Sequence, residues 1–443
     1  MRGARSFILL LVIAAALGWY AYRDSKKEIS TGERHDKVFD VQADQIDEIS
    51  IKSESGDRTT LRKTGSDWQI VQPAPAQPDN AEVSGLTSNL ASLEVQKVVD
   101  DNPADVKEYG LAEPRVAVDF KAGGRQQRLL IGNKTPPGTD LYAKLGDQKR
   151  VFLISSYLDS TFNRGTFDLR DKTVLKLDRD KIDSFEVTTP QHALKVAKQN
   201  GEWQLAAPVQ ARADFSAVEG LVGRLATLQM KSIAADNAAD LKQYGLDKPA
   251  ATVRLGSGSS QATLEVGSSS GEGAVYARDR SRPAVFTIES SLLDDLKKDA
   301  GEYRLKDLFD ARSFNATRME IVRNGQTFAF EKTKAKGKDG QDEEQWRQTS
   351  PTARDVDQGK VENLASTITG ARATGFVDTT AKTGLDKPEL TVAIKYEEGK
   401  KEDRVTFARS GADAYAARAG GPGAARIDTE TLDSIVKALE DLK

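Results

Sequence analysis

Residues 203–225 read WQLAAPVQARADFSAVEGLVGRL, and the pattern of this stretch occurs three times in the chain. It begins with a tryptophan, has a proline five residues later and an aspartate eleven residues later, and ends in aliphatic residues at helical spacing. The matching residues are Trp68, Trp203 and Trp346, then Pro73, Pro208 and Pro351, then Asp79, Asp214 and Asp357. Recurrence at fixed offsets indicates one structural module repeated in tandem.

The aliphatic part of each copy predicts an amphipathic helix. In the second copy Val218, Leu221 and Leu225 are spaced i, i+3 and i+7, which places them on one helix face. Asp214 comes just before this face, where its carboxylate can cap free backbone N–H groups and meet the positive end of the helix dipole. The proline separates the tryptophan-bearing strand from the helix. We assign the repeated residues structural roles, with the tryptophans buried beneath the helix.

A second repeated block predicts a turn that leads into a strand. It reads Tyr-Gly-Leu-x-x-Pro in the first two copies, and Thr383 replaces the tyrosine in the third. The glycine can adopt positive φ, and the proline can open the next strand at its first position. The repeated residues of this block are Gly110, Gly245, Gly384, Pro114, Pro249 and Pro388. Hairpins and a short closing helix follow in each copy, and the last closing helix extends to the C-terminus.

These patterns predict an α+β fold with three tandem modules, each an antiparallel sheet with one long and one short helix. A single N-terminal transmembrane helix precedes them. The third copy has eight extra residues, which lie within 332–345, and we expect this charged stretch to form a hairpin tip. The predicted segments are a cytoplasmic tail at 1–5, a transmembrane anchor at 6–22, a linker at 23–37, and modules at 38–167, 168–303 and 304–443.

Residues 6–22 read SFILLLVIAAALGWYAY and carry no charge. A helix of this length reaches roughly 25 Å, a little short of a hydrocarbon core of about 30 Å, and flanking arginines can snorkel to close the gap. A cleaved signal peptide is the alternative, because Ala14–Ala16 offers small residues to a peptidase. The aromatic residues after these alanines favour an uncleaved anchor. Basic residues flank both ends almost equally, and we expect the short tail inside and the modules in the periplasm.

The composition is typical of a soluble, globular protein and argues against a nucleic-acid partner. Hydrophobic residues make up 38% and charged residues 30% of the chain. The 64 basic and 67 acidic residues are well mixed, whereas a nucleic-acid binder usually has a basic face. The chain has no cysteine, which excludes disulfides, thiolate metal sites and cysteine nucleophiles.

A search for catalytic chemistry gives no candidate residue. The sequence has two histidines, His35 and His192; neither has a counterpart in the other copies, and we expect both to be solvated. Glycine-rich stretches such as 256–260 lack the GxxxxGK[ST] pattern of a phosphate-binding loop. We therefore predict no catalytic residue, no cofactor, no metal site and no small-molecule substrate.

The anchored start, the tryptophan–proline–helix block, the Tyr-Gly-Leu-x-x-Pro turns and the Leu-Arg-Asp-Lys sequence at 169–172 together resemble a bacterial family, the domain-of-unknown-function family 4340. The resemblance covers nearly all of residues 38–443. It implies an association with auxiliary subunits of gliding-motility-type ABC transporters, and it supplies no catalytic residues. The third copy departs from the pattern at Thr383 and in its charged insertion.

The leading hypothesis is a non-enzymatic protein of the bacterial inner membrane, with its bulk in the periplasm, that serves as an accessory or scaffold component of an ABC-transporter-type complex. An envelope module that binds peptidoglycan or polysaccharide is the alternative, and it requires solvent-exposed tryptophans. An unrecognised hydrolase is the third hypothesis. Gene neighbourhood and partner purification discriminate among the three.

Overall fold

The computed structural model of the chain describes residues 36–271, 273–336, 342–377 and 382–442. Within these ranges no helix is long and apolar enough to cross a membrane. The predicted anchor at 6–22 lies outside the described residues and stays a prediction, as do the segment limits given above. The chain divides into two compact units, Met1–Lys172 and Thr173–Lys443.

The described part of the first unit, from residue 36 on, folds around one antiparallel sheet with two α-helices. Its strands are β1 (Ile46–Lys52), β2 (Arg58–Thr64), β3 (Asp67–Gln72), β4 (Lys97–Asp100), β5 (Val116–Ala122), β6 (Arg125–Lys134), β7 (Asp140–Leu145) and β8 (Val151–Ser155). Its helices are α1 (Asn80–Ala91) and α2 (Asp159–Phe162). The strand order across the sheet is β3-β2-β1-β5-β6-β7-β8-β4.

The second unit contains two further antiparallel sheets. The strands of the first of them are β9 (Ser184–Thr188), β10 (Ala193–Gln199), β11 (Glu202–Ala207), β12 (Ala211–Arg212), β13 (Ser232–Ala235), β14 (Ala251–Ser257), β15 (Ser260–Gly271), β16 (Ala274–Asp279) and β17 (Val285–Glu289). Its helices are α3 (Phe215–Ala226) and α4 (Ser291–Leu296). The strand order is β12-β11-β10-β9-β14-β15-β16-β17-β13.

The last sheet repeats this arrangement. Its strands are β18 (Ala316–Arg323), β19 (Gln326–Lys336), β20 (Asp342–Ser350), β21 (Arg354–Asp355), β22 (Gly375–Val377), β23 (Leu390–Tyr396), β24 (Lys401–Ser410), β25 (Asp413–Arg418) and β26 (Ala424–Ile427). Its helices are α5 (Gln358–Thr369) and α6 (Thr429–Glu440). The order is β21-β20-β19-β18-β23-β24-β25-β26-β22, which matches the second sheet strand for strand. The first sheet has the same order except that it lacks a counterpart of the short edge strands β12 and β21.

The fold class of tandem antiparallel modules with helices is therefore confirmed. One detail is wrong: the third module does not have one long and one short helix, because α5 and α6 each span 12 residues. Leu432, Ile435 and Leu439 of α6 are buried in the core of the third sheet. This apolar face holds the closing helix to the sheet over its whole length.

Each core lies between the long helix and one face of its sheet. In the first module the helix residues Val83, Leu86 and Leu90 share a buried cluster with the strand residues Leu61 and Ile70. Burying one such aliphatic side chain stabilises a fold by about 1.5–3 kcal/mol. The repeated aliphatic positions therefore provide the energy that holds helix to sheet.

Candidate functional site

The three repeated aspartates begin the long helices. The side chain of Asp79 accepts hydrogen bonds from the backbone N–H groups of Ala81 and Glu82. Asp214 and Asp357 are the N-cap residues of α3 and α5, and each accepts a bond from the N–H group three residues on. All three carboxylates are thus used in helix capping.

Two of the three repeated tryptophans are buried, and the third meets the expectation only in part. Trp203 is 3% exposed and Trp346 is 2% exposed, whereas Trp68 is partly exposed at the margin of its core. The indole of Trp203 donates a 2.8 Å hydrogen bond to Glu219 on α3. Ser84 stands at the same offset in the first module, and its side chain is too short to hold an indole in this way.

The repeated prolines and turn glycines also serve the backbone. A cis peptide bond precedes each proline of the first block, namely Pro73, Pro208 and Pro351. The turn glycines have positive φ, 69° at Gly110, 65° at Gly245 and 74° at Gly384. The second-block prolines Pro114, Pro249 and Pro388 each come two residues before a strand, β5, β14 or β23.

Sequence reasoning missed two glycines that these turns require. A methyl group on Gly132 would lie 2.1 Å from the carbonyl oxygen of Tyr109, and one on Gly267 would lie 2.2 Å from that of Tyr244. The third module has Ala408 at the matching strand position, in the copy whose turn has lost the tyrosine. An alignment of the three copies shows this relation, because the third copy changes both positions: alanine replaces the glycine at 408, and threonine replaces the tyrosine at 383.

His192 is only partly exposed, so its side chain is less solvated than the sequence led us to expect. Its Nδ1 lies 3.2 Å from the hydroxyl oxygen of Thr189 across the turn between β9 and β10. Its Nε2 is buried without a hydrogen-bond partner among the described residues. Tight closure of the turn around the ring explains the difference. His35 lies outside the described residues.

A cavity of about 460 Å³ opens in the second unit, between the β11–β12 edge and the turn that joins β25 to β26. The segment 304–308 and Phe376 of β22 complete its wall. The side chains of Gln199, Gln204 and Gln210 supply amide groups, and the turn at 419–423 supplies small residues. Ligand pockets usually measure about 300–1,000 Å³ and combine apolar walls with a few polar groups.

Arg212 and Arg418 line this cavity and are held by carboxylates. Asp310 pairs with Arg212 and lies 2.5 Å from Arg418, which is also 2.5 Å from the carboxylate of Asp403. Asp403 is fully buried and accepts a further hydrogen bond from the backbone N–H of Ala311. Burial alone would raise the pKa of Asp310, but hydrogen bonds from the two arginines outweigh it and lower that pKa.

Arg304 is the third arginine of the cavity, and its environment is different. Its guanidinium carbon lies 3.7 Å from the ring centre of Phe376, a cation–π contact. One amino group donates a 3.0 Å hydrogen bond to the carbonyl oxygen of Pro422. Among the described residues no carboxylate forms an ion pair with it. Burial lowers the pKa of Arg304, although a guanidinium remains protonated under ordinary conditions.

The backbone fixes Arg304 in place from both sides. Leu305 N–H donates to the carbonyl oxygen of Arg212, and Leu308 N–H donates to that of Ala371. The segment is therefore hydrogen-bonded to β12 on one side and to the loop between α5 and β22 on the other. The sequence analysis did not identify Arg304. The signal was again a departure from the repeat, because Asp168 stands at the matching position one copy earlier.

No group of three or more histidine, cysteine, aspartate or glutamate side chains in the described part of the chain could hold a metal ion. Within each module the repeated residues serve capping, turns and core. They are not brought together in the cavity, whose charged and amide side chains come from three arginines, three glutamines and Asp307. The chemistry that this arrangement offers is recognition of a ligand.

A family model described as "Domain of unknown function (DUF4340)" matches residues 68–202 and 203–388, which is more than half of the chain. A comparison with curated proteins gives no match. Among solved structures, the DNA polymerase III subunit beta from Pseudomonas aeruginosa is 8% identical, with 87% of this chain and 91% of that chain covered. Its TM-score is 0.16, which is too low to support any conclusion about fold or function. The matched segments, in contrast, show that the chain belongs to the DUF4340 family.

Proposed function

We propose that the chain is a non-catalytic envelope protein, anchored in the inner membrane by residues 6–22 and exposing its modules to the periplasm. Its role is that of an accessory or scaffold component in an ABC-transporter-type complex. The observation that supports a non-catalytic role is the use of the repeated side chains. Asp79, Asp214 and Asp357 are engaged in capping, and Trp203 and Trp346 are buried in their cores.

The anchor and its orientation are tested in membranes. Full-length chain is expected to resist extraction by alkaline carbonate, and protease added to spheroplasts is expected to digest the region after residue 35. The matched control is a chain whose uncharged segment 6–22 is replaced by a cleavable signal peptide, which should move to the soluble periplasmic fraction. Release of the full-length chain by carbonate, or protection of its modules from protease, contradicts the proposal.

The transporter partner rests on the family resemblance and on the architecture of three similar modules in series. Tagged full-length chain, cross-linked in its native membranes and purified in mild detergent, is expected to carry transporter subunits with it. An unrelated single-anchor protein of equal abundance provides the background. If transporter subunits are not enriched over that background, the scaffold role is wrong.

An envelope ligand-binding role is a second candidate, favoured by the cavity beside Arg304. It does not use the tryptophans as first suggested, because a sugar cannot stack on Trp203 or Trp346 while these side chains are buried. Trp68 keeps a partly exposed face. No observation among the described residues favours the third hypothesis, a hydrolase.

A further inference from the structure

We propose that the cavity beside Arg304 binds a small organic molecule that carries one carboxylate, and that Arg304 receives this carboxylate. The binding site goes beyond the scaffold role and does not depend on it. It assigns ligand binding to a cavity at the third module, a function that the other two modules do not share.

Among the residues that the structure describes, the charges around the cavity leave one cation, Arg304, without a counter-ion. Arg212 and Arg418 are neutralised by Asp310 and Asp403, as described above. Arg304 makes one hydrogen bond and one ring contact, although a guanidinium has five N–H donors. A half-buried cation is most stable when an anion completes its hydrogen bonds, and the two N–H groups of a guanidinium edge match the two oxygens of a carboxylate.

A single carboxylate fits this site better than a phosphate. One uncompensated guanidinium balances one negative charge. A dianion would bring a surplus charge close to Asp310 and Asp307, which line or adjoin the same wall. The glutamine amides offer neutral hydrogen bonds to the body of the ligand, and Phe376 and Leu205 offer apolar contact.

Comparison with the second module shows why the cavity is open. The turn after β16 runs from Asp279 to Arg282, and the turn after β25 runs from Arg418 to Gly421. Each is closed by a 3.0 Å backbone hydrogen bond from its last residue to the carbonyl oxygen of its first. In the second module the side chain of Arg282 reaches back to the carbonyl oxygens of the segment entering its sheet, at Thr173 and Val174.

Gly421 has no side chain at the same place, and Gly420 precedes it. The φ of Gly421 lies outside the left-handed region, so backbone conformation does not require glycine there. The three atoms nearest to an added Cβ all belong to Arg418, and the closest is its carbonyl oxygen at 3.2 Å. The absence of a side chain instead leaves room beside Arg304, and this space forms part of the cavity.

Titration calorimetry on the purified full chain in detergent tests the site, with dansylglycine as the probe. Its carboxylate bears one charge, and the matched control ligand is dansylglycinamide, which has the same body without that charge. We expect saturable binding of one equivalent of dansylglycine, weakened about tenfold or more by Arg304→Gln. Dansylglycinamide should bind the wild-type chain no better than it binds the variant.

Three further variants separate the site from general effects. Arg304→Lys keeps the charge without the forked donors, and we expect it to bind more weakly than wild type but more tightly than Arg304→Gln. Gly421→Leu fills the space while leaving Arg304 intact, and it should also weaken binding. Arg347→Gln removes an exposed arginine of β20 outside the cavity and should leave the affinity unchanged.

Several results would overturn the proposal. They are the absence of saturable dansylglycine binding at millimolar concentration, equal affinity for the amide, and affinity unaltered by both Arg304→Gln and Gly421→Leu. Displacement of the probe by inorganic phosphate at lower concentration than by acetate would overturn the carboxylate assignment. Recovery of transporter subunits is a separate assay, so the scaffold role and the ligand site can fail independently.

Discussion

Replacing Gly267 by alanine is expected to destabilise the second module by about 2 kcal/mol. The new methyl group would lie 2.2 Å from the carbonyl oxygen of Tyr244 and 3.1 Å from Cγ of Leu246. Relieving such an overlap requires backbone movement in a packed turn, which costs up to about 3 kcal/mol. Alanine also restricts the unfolded chain more than glycine does, which stabilises the folded state by up to about 1 kcal/mol. The clash is the larger effect, so the net change is a loss of stability.

Hydrogen exchange measured by mass spectrometry on the full chain resolves the effect module by module. Peptides from β14 and β15 should exchange roughly 30-fold faster in Gly267→Ala, because each 1.4 kcal/mol changes the open population tenfold. The matched control is Gly220→Ala in the interior of α3, where an added Cβ meets nothing within 4 Å. That change should slow exchange by a few-fold, since alanine is favoured over glycine in a helix by about 0.5–1 kcal/mol. Equal effects of the two substitutions would refute the reasoning.

Three other predictions concern caps, burial and charge. Asp214→Ala should destabilise the second module by about 1 kcal/mol, and Asp214→Asn should destabilise it by less, because asparagine can still cap a helix. Hydrogen exchange of peptides from α3 measures both effects. Equal losses of stability in the two variants would contradict the N-cap role. In single-tryptophan variants, acrylamide should quench Trp203 less than Trp68, and the reverse order would contradict their burial. The lowered pKa of Asp310 means that its ion pairs stabilise the second unit above about pH 4, the unfolded value, and that this contribution is lost as the pH falls through the folded value. In denaturation experiments the free energy of unfolding of Asp310→Asn should therefore fall furthest below that of the wild type near neutral pH, and the two should be closest at acid pH. A difference that does not change with pH would show that the ion pairs contribute nothing.

The repeated local signals of the sequence were enough to predict the modules. An aspartate before an aliphatic stripe has few physical outcomes other than a capped helix, and α3 begins at the residue after Asp214. Turn glycines followed by a proline likewise led into strands, as at Gly245 and β14. Such signals depend on neighbours in sequence, and they are therefore readable without a structure.

Strand order and the cavity depend on distant partners and could not be read in this way. The strand after each long helix crosses to the far edge of its sheet, so that β13 pairs with β17, and no local residue encodes this choice. Trp68 has the same offset as Trp203 but lacks the equivalent of Glu219, a difference that matters only once helix and strand are packed. Arg304 became informative only when its surroundings showed where carboxylates lie and where they do not.

The central claim is that one sheet, with one register, is built three times. The chain has no natural cysteine, so two introduced cysteines can pair only with each other within one molecule. Three directly opposed positions on the hairpins β5–β6, β14–β15 and β23–β24 are equivalent: Asp119 with Arg128, Arg254 with Thr263, and Ala393 with Arg404. The diagonal pair Arg254 with Gln261 is the control, because diagonal neighbours lie about 7–8 Å apart, beyond the usual Cα separation of a disulfide. We predict that mild oxidation of the full chain forms the disulfide in all three double variants and much less of it in the control. If any one opposed pair fails to form a disulfide, or if the diagonal pair forms one equally well, the repeated register is contradicted.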